Sequence, residues 1–342
     1  MNPFEAMEGD FIEARDGLIF DVKGLVHPPD RVVAYVRYIP DPSGERRRGS
    51  VVYRKVYSLM ERERLLETRY PRYLFYDPVY GRRLQGLPIQ DVAVHYKPVE
   101  KLLSLSLLDE TELDRVEEDA VEFAEVLSDA SGVAFTGMGL SGSVLVGLQA
   151  AESDIDLIVY GRRNSLRVHD ALKALLRERS SPVLPYDLRD LEKLYSFRVR
   201  DTRVSFEEFV RSERRKVMQG KFAGRDYFIR FVLDSGEARE NYGDRTYTSL
   251  GRARVEAWVH EDSDSVFTPC SYGVTGVKVV SGSMPHPVEE IASFRGRFCE
   301  QALKGERVLA EGRVEEVSGK EGAPYLRLVL GEDPSDFMVV QP

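Results

Sequence analysis

The chain has 342 residues, 42% of them hydrophobic and 31% charged, with a formal net charge of −9. Such a length exceeds one ordinary core, so two or three domains are expected, and the acidic balance excludes a protein that coats nucleic acid indiscriminately. No apolar run approaches the roughly 18 residues of a membrane span, and the opening MNPFEAMEGDFIEARDG has neither the basic nor the apolar region of a secretory signal, which leaves a cytoplasmic protein as the expectation.

The first region, 1–98, is rich in strand signals. VVAYVRYI (32–39) and SVVYRKVYS (50–58) carry β-branched and aromatic residues on either side of the turn-forming DPSGERRRG. YPRYLFYDPVYGRRLQGLP adds Pro, Gly and aromatics without helical period. Arg31 to Lys97 holds 14 basic and 7 acidic residues, a balance of +7, against 11 basic and 16 acidic from Asp244 to the end. Only this N-terminal region suits a phosphate backbone. Its interleaved Tyr35, Arg37, Tyr38, Tyr53, Arg54, Tyr57, Tyr70, Arg72 and Tyr73 match the pattern of stacking rings beside phosphate-binding cations, although tyrosines in strands also serve simply to cover a sheet.

KPVEKLLS (97–104) marks a boundary to a second region, 99–243. There LDETELDRVEEDAVEFAEVLSDASG aligns Leu113, Val116, Ala120, Phe123, Ala124 and Leu127 on one helical face, with a densely acidic face opposite. VAFTGMG (133–139) reads as a strand, SGSVLVGLQAA as a turn and short helix, and SDIDLIVYG as a second strand. NSLRVHDALKALLRER predicts a helix that turns Leu166, His169, Leu172, Leu175 and Leu176 inward, with His169 as a packed ring. SFEEFVRSERRKVMQG predicts a helix from a Ser205/Glu208 capping box to Gly220. RDYFIRFVLD (225–234) is a third strand.

The last region, 244–342, changes to short strands: ARVEAWVH, YGVTGVKVVS, RVLAEGRVEEV and PYLRLVLG, interrupted by the helix-like EEIASFRGRFCEQALKG. A small β-barrel of the OB type is expected. Cys270 and Cys299 stand in no C-x-x-C and no His-x-x-His accompanies them, so a zinc site is not expected. Two buried thiols or a disulfide both remain open.

The chemistry concentrates at GLSGSVLVGLQAAESDIDLIVYG (139–161). Residues two apart on a strand face the same way, so Asp154 and Asp156 present their carboxylates side by side with Ile155 behind them. Adjacent carboxylates raise each other's pKa and call for a counter-charge. Oxygen ligands without His or Cys point to Mg²⁺ or Mn²⁺, which takes one or two carboxylates and completes its shell with water and phosphate oxygens. Gly142 and Ser143, where strand turns to helix, offer free N–H groups and a hydroxyl to a phosphate. The basic run RSERRKVMQGKFAGR (211–225) supplies Arg214, Arg215, Lys216, Lys221 and Arg225 as further candidates for the triphosphate or an acceptor nucleic acid, against a plain solvated helix face. Arg162 and Arg163 are similar candidates.

The conjunction of strand, Gly142-Ser143, short helix and Asp154-Ile-Asp156-Leu resembles the signature of the DNA polymerase β-type nucleotidyltransferase superfamily, which includes CCA-adding enzymes, poly(A) polymerases and antibiotic nucleotidyltransferases. The stretches KGLVHPPDRVVAYVRYIPD, LFYDPVYG, FTPCSYGV and SFRGRFCEQALKG resemble a family of archaeal predicted nucleotidyltransferases over most of the chain. The superfamily resemblance implies a third metal-binding carboxylate on a neighbouring strand, for which Asp226 is the candidate and Asp234 the reserve. The expectation is therefore an α+β multidomain protein. A nucleotidyltransferase-type mixed sheet with helices (99–243) would be flanked by an N-terminal β-rich domain (1–98) that contacts the acceptor and a C-terminal OB-like barrel (244–342). It would move a nucleotidyl group from an NTP such as ATP to an acceptor hydroxyl with release of pyrophosphate. RNA is the first acceptor considered, and no membrane is involved. Asp154, Asp156 and Asp226 would bind the metal; Gly142, Ser143, Lys216, Lys221 and Arg225 would bind the nucleotide. A nucleotide-sensing or RNA-binding protein without turnover is the alternative.

Overall fold

The structure, a computed structural model, describes residues 4–199, 204–238, 240–320 and 322–341. The molecule is α+β with several sheets and divides into two compact units. The first comprises Met1–Phe75, Gln85–Pro185 and Val217–Arg239; the second comprises Tyr76–Leu84, Tyr186–Lys216 and Glu240–Pro342. The units are interleaved along the chain, where composition suggests consecutive segments 1–98, 99–243 and 244–342. The N-terminal strands and the strand of Asp156 fall in the same unit.

In chain order, the elements up to residue 96 are β1 (Phe11–Ala14), β2 (Ile19–Val22), β3 (Arg31–Pro40), β4 (Arg46–Arg48), β5 (Val51–Lys55), α1 (Leu59–Arg69), β6 (Leu74–Asp77), β7 (Arg82–Pro88) and β8 (Val92–Tyr96). They form one sheet in the order β4-β5-β3-β2-β1-β8, with β7 pairing both β3 and β6. The strand expected over 32–39 is realised in β3, which separates two apolar faces. On one face Ile12, Phe20, Val36, Leu65, Leu66 and Tyr73 form a core. On the other, Phe11, Ile19, Tyr38 and Tyr53 pack against Leu145, Val146 and Leu148. Helix α1 has no counterpart in the sequence reading. It buries only Arg62, Leu65 and Leu66, a stripe too narrow to stand out as periodicity.

The next elements are α2 (Pro98–Leu105), α3 (Arg115–Ser131), β9 (Met138–Leu140), α4 (Gly142–Leu145), β10 (Ile155–Tyr160), α5 (Arg162–Leu175), β11 (Val183–Leu184), α6 (Leu188–Arg198), α7 (Phe206–Glu213), β12 (Gln219–Phe222), β13 (Arg225–Val232) and α8 (Ser235–Ala238). A mixed sheet runs β11-β12-β13-β10-β9, with β10 and β13 parallel and the other pairs antiparallel. Helix α3 begins at an Asp114 capping box and ends at Gly132 in the left-handed region. Its Phe123 ring meets Phe222 and Tyr227 at 4.9 and 4.7 Å. In α5, His169 is buried edge-on to Phe231, but Leu166 is exposed, contrary to its expected inward place. Ser165, Val168, His169 and Leu172 make the buried stripe instead.

Helix α7 opens with the expected Ser205/Glu208 box but stops at Glu213. Residues Gln219–Phe222 pair in β12, so Gly220 is a strand residue and not a helix cap. A Cβ there would collide with Leu184 O and the Tyr227 ring.

The second unit holds α6, α7 and β14 (Arg245–Glu261), β15 (Cys270–Gly282), β16 (Glu290–Ser293), β17 (Arg307–Gly319), β18 (Tyr325–Leu330) and β19 (Phe337–Val340). Pairings run β14-β15-β16-β18-β17 and return to β14, with β19 added along β17. Only β16 and β18 are parallel. The helix expected over 289–305 is absent: Glu290–Ser293 is a strand held between β15 and β18, and only Gly296–Phe298 makes a 3-10 turn. Inside this sheet Glu315 is ion-paired with Arg327 at 2.9 Å and with Arg313. Cys270 and Cys299 are both buried free thiols. Among the described residues, no helix is long and apolar enough to cross a membrane.

Candidate functional site

The site lies within the first unit, where β9 ends, α4 begins and β10 starts. Gly142 has φ +61°, and a Cβ at that position would run into the Asp156 carboxylate. Only glycine accepts both the left-handed backbone and so close an approach. The Ser141 N–H donates to the Asp156 carbonyl at 2.8 Å, and the Ser141 hydroxyl donates to Gly9 O at 2.7 Å. The turn is therefore fixed to the strand that carries the aspartates. Ser143 is 3% exposed, yet its hydroxyl has no hydrogen-bond partner among the described residues. A buried hydroxyl without a partner costs free energy comparable to a lost hydrogen bond, which makes it a ready contact for an incoming group.

Asp154 is exposed, Ile155 is fully buried and Asp156 is half-buried. The two carboxylates flank an inward-facing isoleucine, as the period of a strand requires. Burial and the neighbouring Asp154 charge push the Asp156 carboxyl up to about 7, against the opposing pull of Lys55, Arg230 and Arg37. The loop leading to this pair is tied down by two arginines. Arg225 donates to Ala151 O at 2.6 Å and Ser153 O at 2.8 Å while pairing with buried Asp119 at 3.0 Å. Arg46 donates to Leu148 O and to the Ser153 hydroxyl at 3.3 and 3.0 Å.

Beside the pair lies a charged network. Arg230 pairs with Glu8 at 3.0 Å, and Lys23 bridges Glu8 and Asp21 at 3.1 and 2.9 Å. Burial acts to raise the Asp21 carboxyl, but Lys23, Arg230 and Arg37 outweigh it and hold the group below its ordinary value.

The remaining expected site residues go elsewhere. Asp226 lies on the same face of β13 as Phe228 and Arg230, but Phe228 is the residue level with Asp156. Asp226 is exposed and accepts from Lys221 at 3.0 Å across the β12–β13 pair. Asp234, the reserve, follows β13 beyond the end opposite Asp156. Among the described residues, no group of three or more His, Cys, Asp or Glu side chains stands together to hold a metal, so the expected three-carboxylate set is not assembled. Lys216 is buried in the second unit, where its ammonium donates to Glu213, Arg297 O and Gln301 at 2.7, 2.6 and 2.9 Å. All three donors are engaged, which leaves none for a nucleotide. Arg215 is likewise committed to Glu306. Arg225 acts as the clasp described above, and Lys221 as the partner of Asp226.

Two cations missing from the expected nucleotide-binding set stand at this site. Lys55 pairs in register with Tyr38 across β3–β5, on the face that packs against Leu145–Leu148. Arg37 is the extra residue of a β-bulge, since Ile19 opposes Tyr38 while Phe20 opposes Val36. Burial and Arg37 push the Lys55 ammonium down, and Asp154 and Asp156 partly offset them. The +7 balance of 31–97 was the signal that pointed to this region.

Over 336 residues, 96% of each chain, the sequence is 30% identical to a protein of Methanocaldococcus jannaschii described as uncharacterized protein MJ1086. The chain belongs to that protein's family. No family model matches it, and no solved structure does. The likeness to MJ1086 spans both compact units, so the family is defined by the whole two-unit chain and not by the Asp154–Asp156 segment alone.

Proposed function

We propose that the first unit binds a magnesium nucleoside triphosphate and transfers its nucleotidyl group to an acceptor hydroxyl, as a member of the DNA polymerase β-type nucleotidyltransferase superfamily. The observation that carries this reading is the Asp154–Asp156 pair, with Asp156 pressed against Gly142 and raised to about 7 by burial and its neighbour. Two crowded carboxylates next to a partnerless buried hydroxyl fit a cation that arrives with phosphate. Magnesium suits this donor set, because it takes one or two carboxylates and fills its other positions with water and phosphate oxygens. When bound, it would neutralise phosphate charge and acidify the attacking hydroxyl.

Asp154 and Asp156 would hold the metal, and Ser143 would donate to a phosphate oxygen over the bare Cα of Gly142. Arg225 and Arg46 would keep the 148–153 loop, and with it Asp154, in place. The acceptor oxygen attacks the α-phosphorus, the bond to the pyrophosphate oxygen breaks, and the hydroxyl proton is released. Among NTPs, ATP is the representative donor, and RNA is the acceptor class we favour. The ring of strands in the second unit, with its single parallel pair β16–β18, supports reading it as an OB-type barrel that selects the acceptor.

One observation favours a second reading. Without a third carboxylate beside Asp156, the unit would bind a nucleotide and report it without turnover. Pyrophosphate release in the presence of NTP, Mg²⁺ and RNA or hydroxyl-bearing small molecules separates the two. Release that is lost in Asp154→Asn supports transfer, whereas metal-dependent binding without release supports sensing.

A further inference from the structure

A nucleoside triphosphate brings about four negative charges, and the expected sources of compensation do not serve. Lys216 is spent inside the second unit, Lys221 is on Asp226, and Arg225 is on Asp119 and two carbonyls. Helix α4 is four residues long, too short for a useful macrodipole. Positive charge must therefore come from side chains that are close to the aspartates and not already neutralised.

Two residues meet both conditions. Among the described residues, Lys55 and Arg37 form no ion pair and no side-chain hydrogen bond. Nearby arginines of the same sheet are committed: Arg54, beside Lys55 on β5, pairs with Asp41 and Glu61, and Arg48 on β4 pairs with Glu13. Lys55 and Arg37 converge on one ring instead, at 5.1 and 5.8 Å from the centre of Tyr57. Lys55 also lies 6.0 Å from the Tyr38 ring, which is in the cluster with Leu145, Val146 and Leu148. Both cations thus extend from the sheet face that covers the segment beginning at Gly142 and Ser143. A half-buried ammonium and a guanidinium side by side repel each other and are held there by the fold, as an anion site requires.

We propose that Lys55 and Arg37 grip the triphosphate of the nucleotide, so that the N-terminal sheet supplies the anion-binding half of the site and Gly142–Asp156 the metal-binding half. This rests on the nucleotide-binding reading above for the identity of the ligand, but the anion grip is testable without metal. The sheet of residues 11–96 is then part of the donor site and not an acceptor platform. A triphosphate brings more negative charge to the two cations than a monophosphate does, which makes it the preferred ligand over a nucleoside monophosphate.

The test is calorimetric titration of the full-length protein with inorganic tripolyphosphate in chelator, for wild type, Lys55→Met, Arg37→Gln and the control Arg54→Gln, each checked for folding by thermal melting. We expect binding to weaken roughly tenfold or more in Lys55→Met and in Arg37→Gln, with a shallower salt dependence, and to be unchanged in Arg54→Gln. Lys55→Arg, which keeps the charge, should retain most of the affinity and serves if Lys55→Met does not fold. Wild-type affinity in both neutral variants, or no tripolyphosphate binding by wild type, would overturn the proposal. Loss of Mn²⁺ binding in Asp154→Asn with tripolyphosphate binding intact would keep the two halves distinct. Lys55-dependent tripolyphosphate binding by a protein that binds no Mn²⁺ would uphold the grip and reject the metal site.

Discussion

Asp156→Asn in metal-free protein should change how stability depends on pH. The folded carboxyl titrates near 7, against an ordinary value of 3.8. Below the ordinary value both folded and unfolded chains hold the proton, and the full stability is present. As pH rises between the two values, the unfolded chain releases a proton that the folded chain keeps. Stability then falls by about 1.4 kcal/mol per pH unit and levels off above the folded value, for a loss of about 4 kcal/mol. Asparagine carries no such proton, so the variant lacks this slope. Urea denaturation of both proteins from pH 4 to pH 8 in chelator gives the comparison, because their difference cancels the titrating groups that do not interact with Asp156. The variant should gain about 4 kcal/mol relative to wild type across that window. A difference that stays flat from pH 4 to pH 8 would refute the claim that Asp156 is crowded by burial and by Asp154.

Three further outcomes follow from the geometry. Gly142→Ala should cost about 1–2 kcal/mol from its left-handed backbone alone and more from collision with Asp156; urea denaturation measures the total cost, and Mn²⁺-dependent nucleotide binding should be lost in the folded variant. Arg225→Ala should destabilise by about 2–3 kcal/mol, since it strips a partner from buried Asp119, and hydrogen exchange of amides 150–154 should accelerate. If those amides keep wild-type protection, Arg225 is not the clasp of the loop. Lys216→Met should lower stability by about 3 kcal/mol by disturbing its buried pairing with Glu213 yet leave nucleotide affinity unchanged; a large affinity loss in a folded Lys216→Met protein would return this residue to the binding set.

The parts of this molecule that sequence alone makes legible are those written in local pattern. β3 and β10 follow from stretches of β-branched, aromatic and other apolar residues. Residues Asp154 and Asp156 share a face because a strand has period two, and Gly142 marks the turn from strand to helix, whereas the approach of the Asp156 carboxylate to its bare Cα emerges only in the fold. What stays hidden depends on pairing between distant segments. Asp226 is on the anticipated face, but the parallel register that sets Phe228 level with Asp156 is a tertiary fact. Lys216 looks like a surface cation in a basic run until Glu213, Arg297 and Gln301 surround it. The 289–305 stretch carries apolar residues at helical spacing, and its neighbours β15 and β18 make it a strand. Lys55 and Arg37 lie about a hundred residues before the aspartates, and a β-bulge that no local signal announces sets the place of Arg37.

The most direct measurement is calorimetric titration of Mn²⁺ and each NTP into wild type and the Asp154→Asn/Asp156→Asn double variant. Nucleotide binding should require the metal in wild type and disappear in the double variant. Equal binding by both proteins, or none by either, would contradict a metal–nucleotide site at the aspartate pair.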